Sequence, residues 1–189
     1  YGNRPELRPW HRVAQDHLLA ARKGLFNYLV NGAFEFGDYA WDLAPDAMAI
    51  TRDDNRDDFH NAMANYHAGQ GRSLLTTLPA GGNAVAASRI AVKTAPTTSW
   101  VLSGWCKNPS GLILKPTLLW EHNGQNGSCP LKELPNGFVD AKGWREFLFE
   151  PFILPGDDGA SFRLQLEIAN LTGQEASLWL DDLRLKKTL

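Results

Sequence analysis

Apolar side chains recur along this chain with two different periods, and the change falls near residue 29. Over Pro5–Tyr28, Trp10, Val13, Ala14, His17, Leu18, Ala21 and Leu25 return at helical spacing. That spacing predicts an amphipathic helix ended at or shortly after Gly24. From Leu29 onward the alternation is that of strands. They are predicted at Leu29–Phe36, Asp38–Asp46, Met48–Arg52, Arg72–Leu78, Ala84–Val92, Ser99–Lys107, Leu112–His122, Trp144–Ile153, Ser161–Ala169 and Ser177–Leu185. Turn-forming clusters at Pro79–Asn83, Asn108–Gly111, Asn123–Ser128, Pro155–Gly159 and Asn170–Gly173 separate them. The polar run Asp53–Asn65 reads as a solvated loop. Strands at this rhythm predict an all-β fold of two packed antiparallel sheets with one N-terminal helix. Two regions follow: 1–28, a helix or linker from an upstream region, and 29–189, the β-sandwich. The helix's apolar stripe either covers the sandwich or belonged to an upstream helical region of the same protein, and the second reading is preferred.

Faces follow from the period of two. In Ser161–Ala169, Phe162, Leu164, Leu166 and Ile168 point to the core, while Arg163, Gln165 and Glu167 form a polar row outside. In Ser99–Lys107 the same rule sends Trp100 inward and Trp105 outward. Trp41, Trp100, Trp120, Trp144 and Trp179 are expected to serve in packing. The last strand breaks the rule. Asp181 and Asp182 are adjacent between leucines, so one carboxylate faces each side and one of them needs a cation or a proton in a dry place. The stretch Asn31–Phe36 is the expected neighbour of this strand, which brings the two ends of the sandwich together.

Composition narrows the classes of function. A net charge of −2 and a pI near 6.2 supply no field that would gather nucleic acid or an anionic membrane. No apolar run approaches the ~20 residues of a membrane-spanning helix. The chain starts at Tyr1 with no apolar leader, so it is expected to be a processed or excised piece. Cys106 and Cys129 have no neighbouring ligand spacing for zinc. Two readings stand for them, a disulfide between neighbouring strands in an oxidising compartment or two buried free thiols.

Three segments carry a family resemblance: Leu29–Val30–Asn31–Gly32–Ala33–Phe34–Glu35 with Trp41, then Gly71–Arg72–Ser73–Leu74, then Leu178–Trp179–Leu180–Asp181–Asp182–Leu183. Together they resemble the jelly-roll carbohydrate-binding modules of bacterial glycoside hydrolases. From Leu102–Ser103–Gly104 through Trp120, Cys129, Trp144, Phe147, Phe149 and Pro155, the middle is similar to a C-terminal domain of bacterial tetratricopeptide proteins associated with exopolysaccharide. The resemblance covers about residues 29 to 185 and implies a jelly-roll sandwich, polysaccharide or oligosaccharide as partner, and a periplasmic, cell-surface or secreted location. It also implies a structural calcium where the first and last strands meet, with Glu35 and Asp181 or Asp182 as ligands. Oxygen-rich acidic sites suit hard divalent cations. The alternative is that these acids pair with Arg72, Arg89 or Arg184, or are exposed at a strand end.

A sugar site needs exposed aromatic rings flanked by polar groups that fork onto hydroxyls. Trp105 is the leading aromatic, with Arg163, Gln165 and Glu167 as the polar row and Tyr66 as a loop contact; Tyr39 and His67 are further candidates. Catalysis finds little support, because no nucleophile elbow, phosphate loop or HExxH motif is present. His60 and His67 beside Asp57 and Asp58 match no common ligand spacing. The expected function is therefore non-catalytic: a carbohydrate-binding module tethering a larger envelope or secreted protein to polysaccharide. The second reading is a structural or protein-interaction domain of an exopolysaccharide assembly or export system, and the third a small hydrolase or lyase.

Overall fold

The computed structural model describes residues 27–34, 36–52, 72–93, 98–135, 139, 143–153 and 160–188. The predicted helix (except its last two residues), Glu35, the polar run from Asp53 and Tyr66 lie outside them. Twelve strands make up the described part: β1 Trp41–Leu43, β2 Met48–Arg52, β3 Arg72–Leu78, β4 Asn83–Ser88, β5 Val92–Lys93, β6 Ser99–Lys107, β7 Ile113–His122, β8 Gln125–Pro130, β9 Arg145–Leu148, β10 Phe152–Ile153, β11 Ser161–Ala169 and β12 Ala176–Lys187. One sheet runs β1-β4-β11-β7-β8 with β5 also on β11. The other runs β10-β6-β12-β3-β2 with β9 also on β6. Every pairing is antiparallel, as expected for a sandwich whose strands alternate in polarity.

The core lies where the inner faces meet. Phe162, Leu164, Leu166 and Ile168 of β11 are all buried, as their spacing predicted, and they share one apolar cluster with Trp100, Leu102 and Cys106 of β6. Trp100 stacks edge-on with Phe162 at 5.2 Å between ring centroids, a geometry aromatic pairs favour. Gly104 leaves the space that the ring of Phe147 and the tip of Leu183 occupy, since a Cβ there would sit 2.6 Å from Phe147.

The segment Leu29–Phe36 is not a strand. Residues 30–33 and 36–40 are turns, because Asn31, Phe34 and Ala40 all take positive φ, which no extended ladder accommodates. Asn31 holds the loop from within. Its Nδ2 donates to the carbonyls of Gly37 and Tyr39, its Oδ1 accepts from the Phe36 amide, and its carbonyl accepts from the Trp41 indole. The strand expected over Asp38–Asp46 shrinks accordingly to β1. A second difference is β8, read as turn over Asn123–Ser128. Asn123 and Gly124 both have positive φ, the two-residue connection that matches the twist of a tight hairpin, so the chain turns back at once and pairs with β7.

The two ends do meet. The Tyr28 amide donates to the Leu185 carbonyl and the Leu183 amide to the Gly32 carbonyl, each at 2.9 Å. The opening loop thus occupies the side of β12 that β3 leaves after the Leu180–Leu74 pair.

Candidate functional site

The apparent clash of polarity in β12 is resolved by a bulge. Opposite β6, Asp181 pairs with Trp105 and Arg184 with Ser103, so three steps on β12 match two on β6. Asp182 is the extra residue, with φ +51, a conformation Asp tolerates better than most. Its insertion returns Leu183 and Leu185 to the core on the same face as Leu178 and Leu180. Neither aspartate therefore points into the core. Both carboxylate oxygens of Asp182 accept from Arg184, so the need of its charge for a cation is met within the protein. Asp181 is only 1% exposed, and its Oδ1 accepts from the Asp182 amide.

These residues belong to a row across the outer face of the β10-β6-β12-β3-β2 sheet. Thr51 of β2 pairs with Ser73 of β3. Asp181 lies one residue past the Leu180–Leu74 pair, and it pairs in turn with Trp105, which pairs with Glu146 of β9. Trp179 stands two residues along β12 on the same face, partly exposed, with the Lys107 ammonium 5.8 Å from its ring centroid. The hydroxyls of Thr51 and Ser73 are buried and have no hydrogen-bond partner among the described residues, a state they share with Thr76 and the Trp100 indole elsewhere in the sheet. Ser73 and Asp181 are closed to solvent and Trp105 nearly so, so the part of this row that can meet a ligand is the indole of Trp179, with the Lys107 ammonium beside it, and the partly exposed Glu146.

The expected site residues do not assemble as one groove. Arg163, Gln165 and Glu167 do form an outward row on β11, with Gln165 donating to Glu167 at 2.8 Å. That row lies on the outer face of the other sheet, on the opposite side of the sandwich from Trp105. Trp105 faces away from the core as its parity requires, but it is 8% exposed rather than open to solvent. Alternation fixes direction within one sheet and carries no information about which sheet a strand joins. Trp179, expected in packing, is on the outer face instead, because a strand bounded by Leu178 and Leu180 inside must turn it out. Tyr66 and Glu35 lie outside the described residues. Among the described residues no three His, Cys, Asp or Glu side chains converge as a metal site. Cys106 and Cys129 are free thiols in different sheets.

With this geometry in view, the class of fold is that of carbohydrate-binding modules. The module TmCBM61, solved in complex with β-1,4-galactotriose, superposes with a TM-score of 0.51 at 16% identity, over 86% of this chain and 99% of that one. The N-terminal CBM22-1 and GH10 modules of Clostridium thermocellum endo-1,4-β-D-xylanase 10B, complexed with xylohexaose, give 0.51 at 14% identity over 85% of this chain and 28% of that chain. At such identities the likeness is one of fold. No family model matches the sequence, and no curated protein matches it.

Proposed function

We propose that the protein is a non-catalytic glycan-binding domain that tethers a larger bacterial envelope or secreted protein to polysaccharide, and that the outer sheet face around Trp179 and Glu146 is where it grips. The observation that carries this reading is Trp179, turned to the outer face and partly exposed, with the Lys107 ammonium 5.8 Å from its ring centroid. Sugars present C–H faces that lie against indole rings and hydroxyls that bond to polar groups at the rim. No described helix is long and apolar enough to cross a membrane. The exopolysaccharide association, with an upstream helical region preceding the sandwich, is part of the same proposal.

A calcium ion belongs to it as well. Of the two aspartates, Asp181 fits an oxygen-rich cation site, being buried and on the strand against which the opening loop closes. Asp182 does not fit, because Arg184 already takes both its oxygens. Glu35 would be the second carboxylate, and the ion would fasten the two ends of the sandwich.

The burial of Trp105 favours a second reading, a structural or protein-interaction domain of an exopolysaccharide assembly with no sugar site. Affinity electrophoresis of the full chain through gels containing bacterial and plant polysaccharides separates the two. Retardation by at least one polysaccharide, lost in Trp179→Ala, is the expected result. Unretarded migration of folded protein on every glycan would leave the structural reading in place.

A further inference from the structure

The two sheets part at the edge where β1 ends one and β2 ends the other. The turn between them, closed by the Ala47 and Met48 amides on the Ala44 carbonyl, leaves a cleft of about 440 Å³. Its floor is apolar, from Leu43, Met48 and Ile50, and its rim carries Asp38, Asp42 and Arg89. That volume falls in the range of small-ligand sites.

The rim is organised in a particular way. Arg89 Nε donates to Asp42 Oδ1 at 2.7 Å, while its terminal nitrogens make no bond to the protein among the described residues. One edge of the guanidinium is thus held in place, and the remaining N–H groups are displayed. The Asp38 carboxylate has no ion pair or side-chain hydrogen bond among the described residues. It sits on the loop that Asn31 locks through Gly37 and Tyr39. A preset donor fork and an acceptor-only carboxylate beside an apolar floor match a molecule with adjacent hydroxyls on one side and C–H groups on another. Arg89 and Asp42 offset each other in charge, which favours a neutral ligand over an anion.

We infer that this edge cleft is a second binding site, separate from the sheet face, that takes one neutral sugar unit, with Asp38 and Arg89 on its hydroxyls and the apolar side chains of Leu43, Met48 and Ile50 against its C–H face. The inference does not depend on the sheet-face reading, since the two sites share no residue.

The test is a titration of the ¹⁵N-labelled full chain with the methyl glycosides of glucose, galactose, mannose and xylose, and with methyl glucosaminide as an amine-bearing control. Saturable amide shifts at Asp38, Tyr39, Asp42 and Arg89 with at least one neutral glycoside are expected. Asp38→Asn and Arg89→Ala should each weaken that binding at least tenfold. All four positions are at the surface, and an unchanged spectrum elsewhere verifies folding. Absence of shifts in the cleft, shifts insensitive to these substitutions, or a response to the amine-bearing sugar alone would overturn the inference. Loss of polysaccharide retardation in Trp179→Ala reads the sheet face and the Asp38 and Arg89 variants read the cleft, so either site can fail while the other stands.

Discussion

Gly32 and Leu183 approach so closely that the contact admits no side chain at position 32. The Gly32 carbonyl accepts from the Leu183 amide at 2.9 Å, and a Cβ on Gly32 would lie 2.1 Å from the Leu183 carbonyl oxygen. Because the clashing atom is backbone in a strand paired to β6 on its far side, it cannot step away cheaply. Gly32→Ala is expected to destabilise the fold by ~2–4 kcal/mol, combining overpacking with loss of the hydrogen bond. Urea denaturation followed by tryptophan fluorescence measures it, and an unchanged midpoint would show that the ends are not held together there.

Asn27 seals the same seam with its carboxamide. Its Oδ1 accepts from the amides of Leu185 and Leu29, and its Nδ2 donates to the Leu183 carbonyl at 2.9 Å. Asn27→Ala should cost ~1–3 kcal/mol. Asn27→Asp sets an acceptor-only carboxylate oxygen against the Leu183 carbonyl in place of the donor, so it should cost at least as much near neutral pH; a cost well below that of Ala would contradict the assigned orientation of the amide.

The bulge at Asp182 keeps the last strand in phase. Straightening the bulge with Asp182 kept would turn Leu183 and Leu185 outward and Arg184 inward. Deleting Asp182 instead leaves Asp181 followed directly by Leu183, so plain alternation keeps both leucines inward, and the deletion variant is expected to unfold cooperatively; loss of the cooperative thermal transition would show that the bulge does more than keep phase. Asp182→Gly, which permits positive φ and gives up a partly exposed ion pair with Arg184, should stay within about 1 kcal/mol of the parent.

Burial pushes the Cys106 thiol up to about 11, with the nearby Arg145 lowering it and Glu133 raising it by smaller amounts. Since the folded value lies above the unfolded one, the contribution to stability is complete below pH 9 and declines as pH rises through 11. Cys106→Ala should flatten that alkaline decline in denaturation curves between pH 8 and 11. At pH 8 a thiol reagent should modify Cys129 first and reach Cys106 only on unfolding.

Chelator is expected to lower the melting temperature by several degrees, following from loss of an ion that binds the folded state. Glu35→Ala and Asp181→Asn should each abolish that sensitivity, and Asp182→Asn should preserve it. A melting curve indifferent to chelator and to added calcium would remove the ion from the account.

The parts of the fold legible in the chain were those governed by local period. The β11 alternation named its own core residues, and the bounds of β2, β3, β6 and β11 followed from turn chemistry on either side. Asn123-Gly124 was an equally local signal for the β7–β8 hairpin, masked by the polar residues of β8, which lies at a sheet edge and is largely exposed. The opening loop misled because its apolar residues Leu29, Val30 and Phe34 look like a strand. Their burial comes instead from turns locked by Asn31.

By itself, the sequence determined the β class, the inward residues of the long strands, and the meeting of the acidic closing segment with the Asn31-Gly32 opening. Each is a consequence of side-chain period or of residues whose conformational demands are local. Only the tertiary structure decided that Trp105 and the Arg163 row lie on opposite sides, that Trp179 turns outward beside Asp181, and that Asp182 is spent on Arg184. Those relationships depend on which strands share a sheet and on a one-residue bulge, and both are set by pairing between segments far apart in the chain, where local pattern has no purchase.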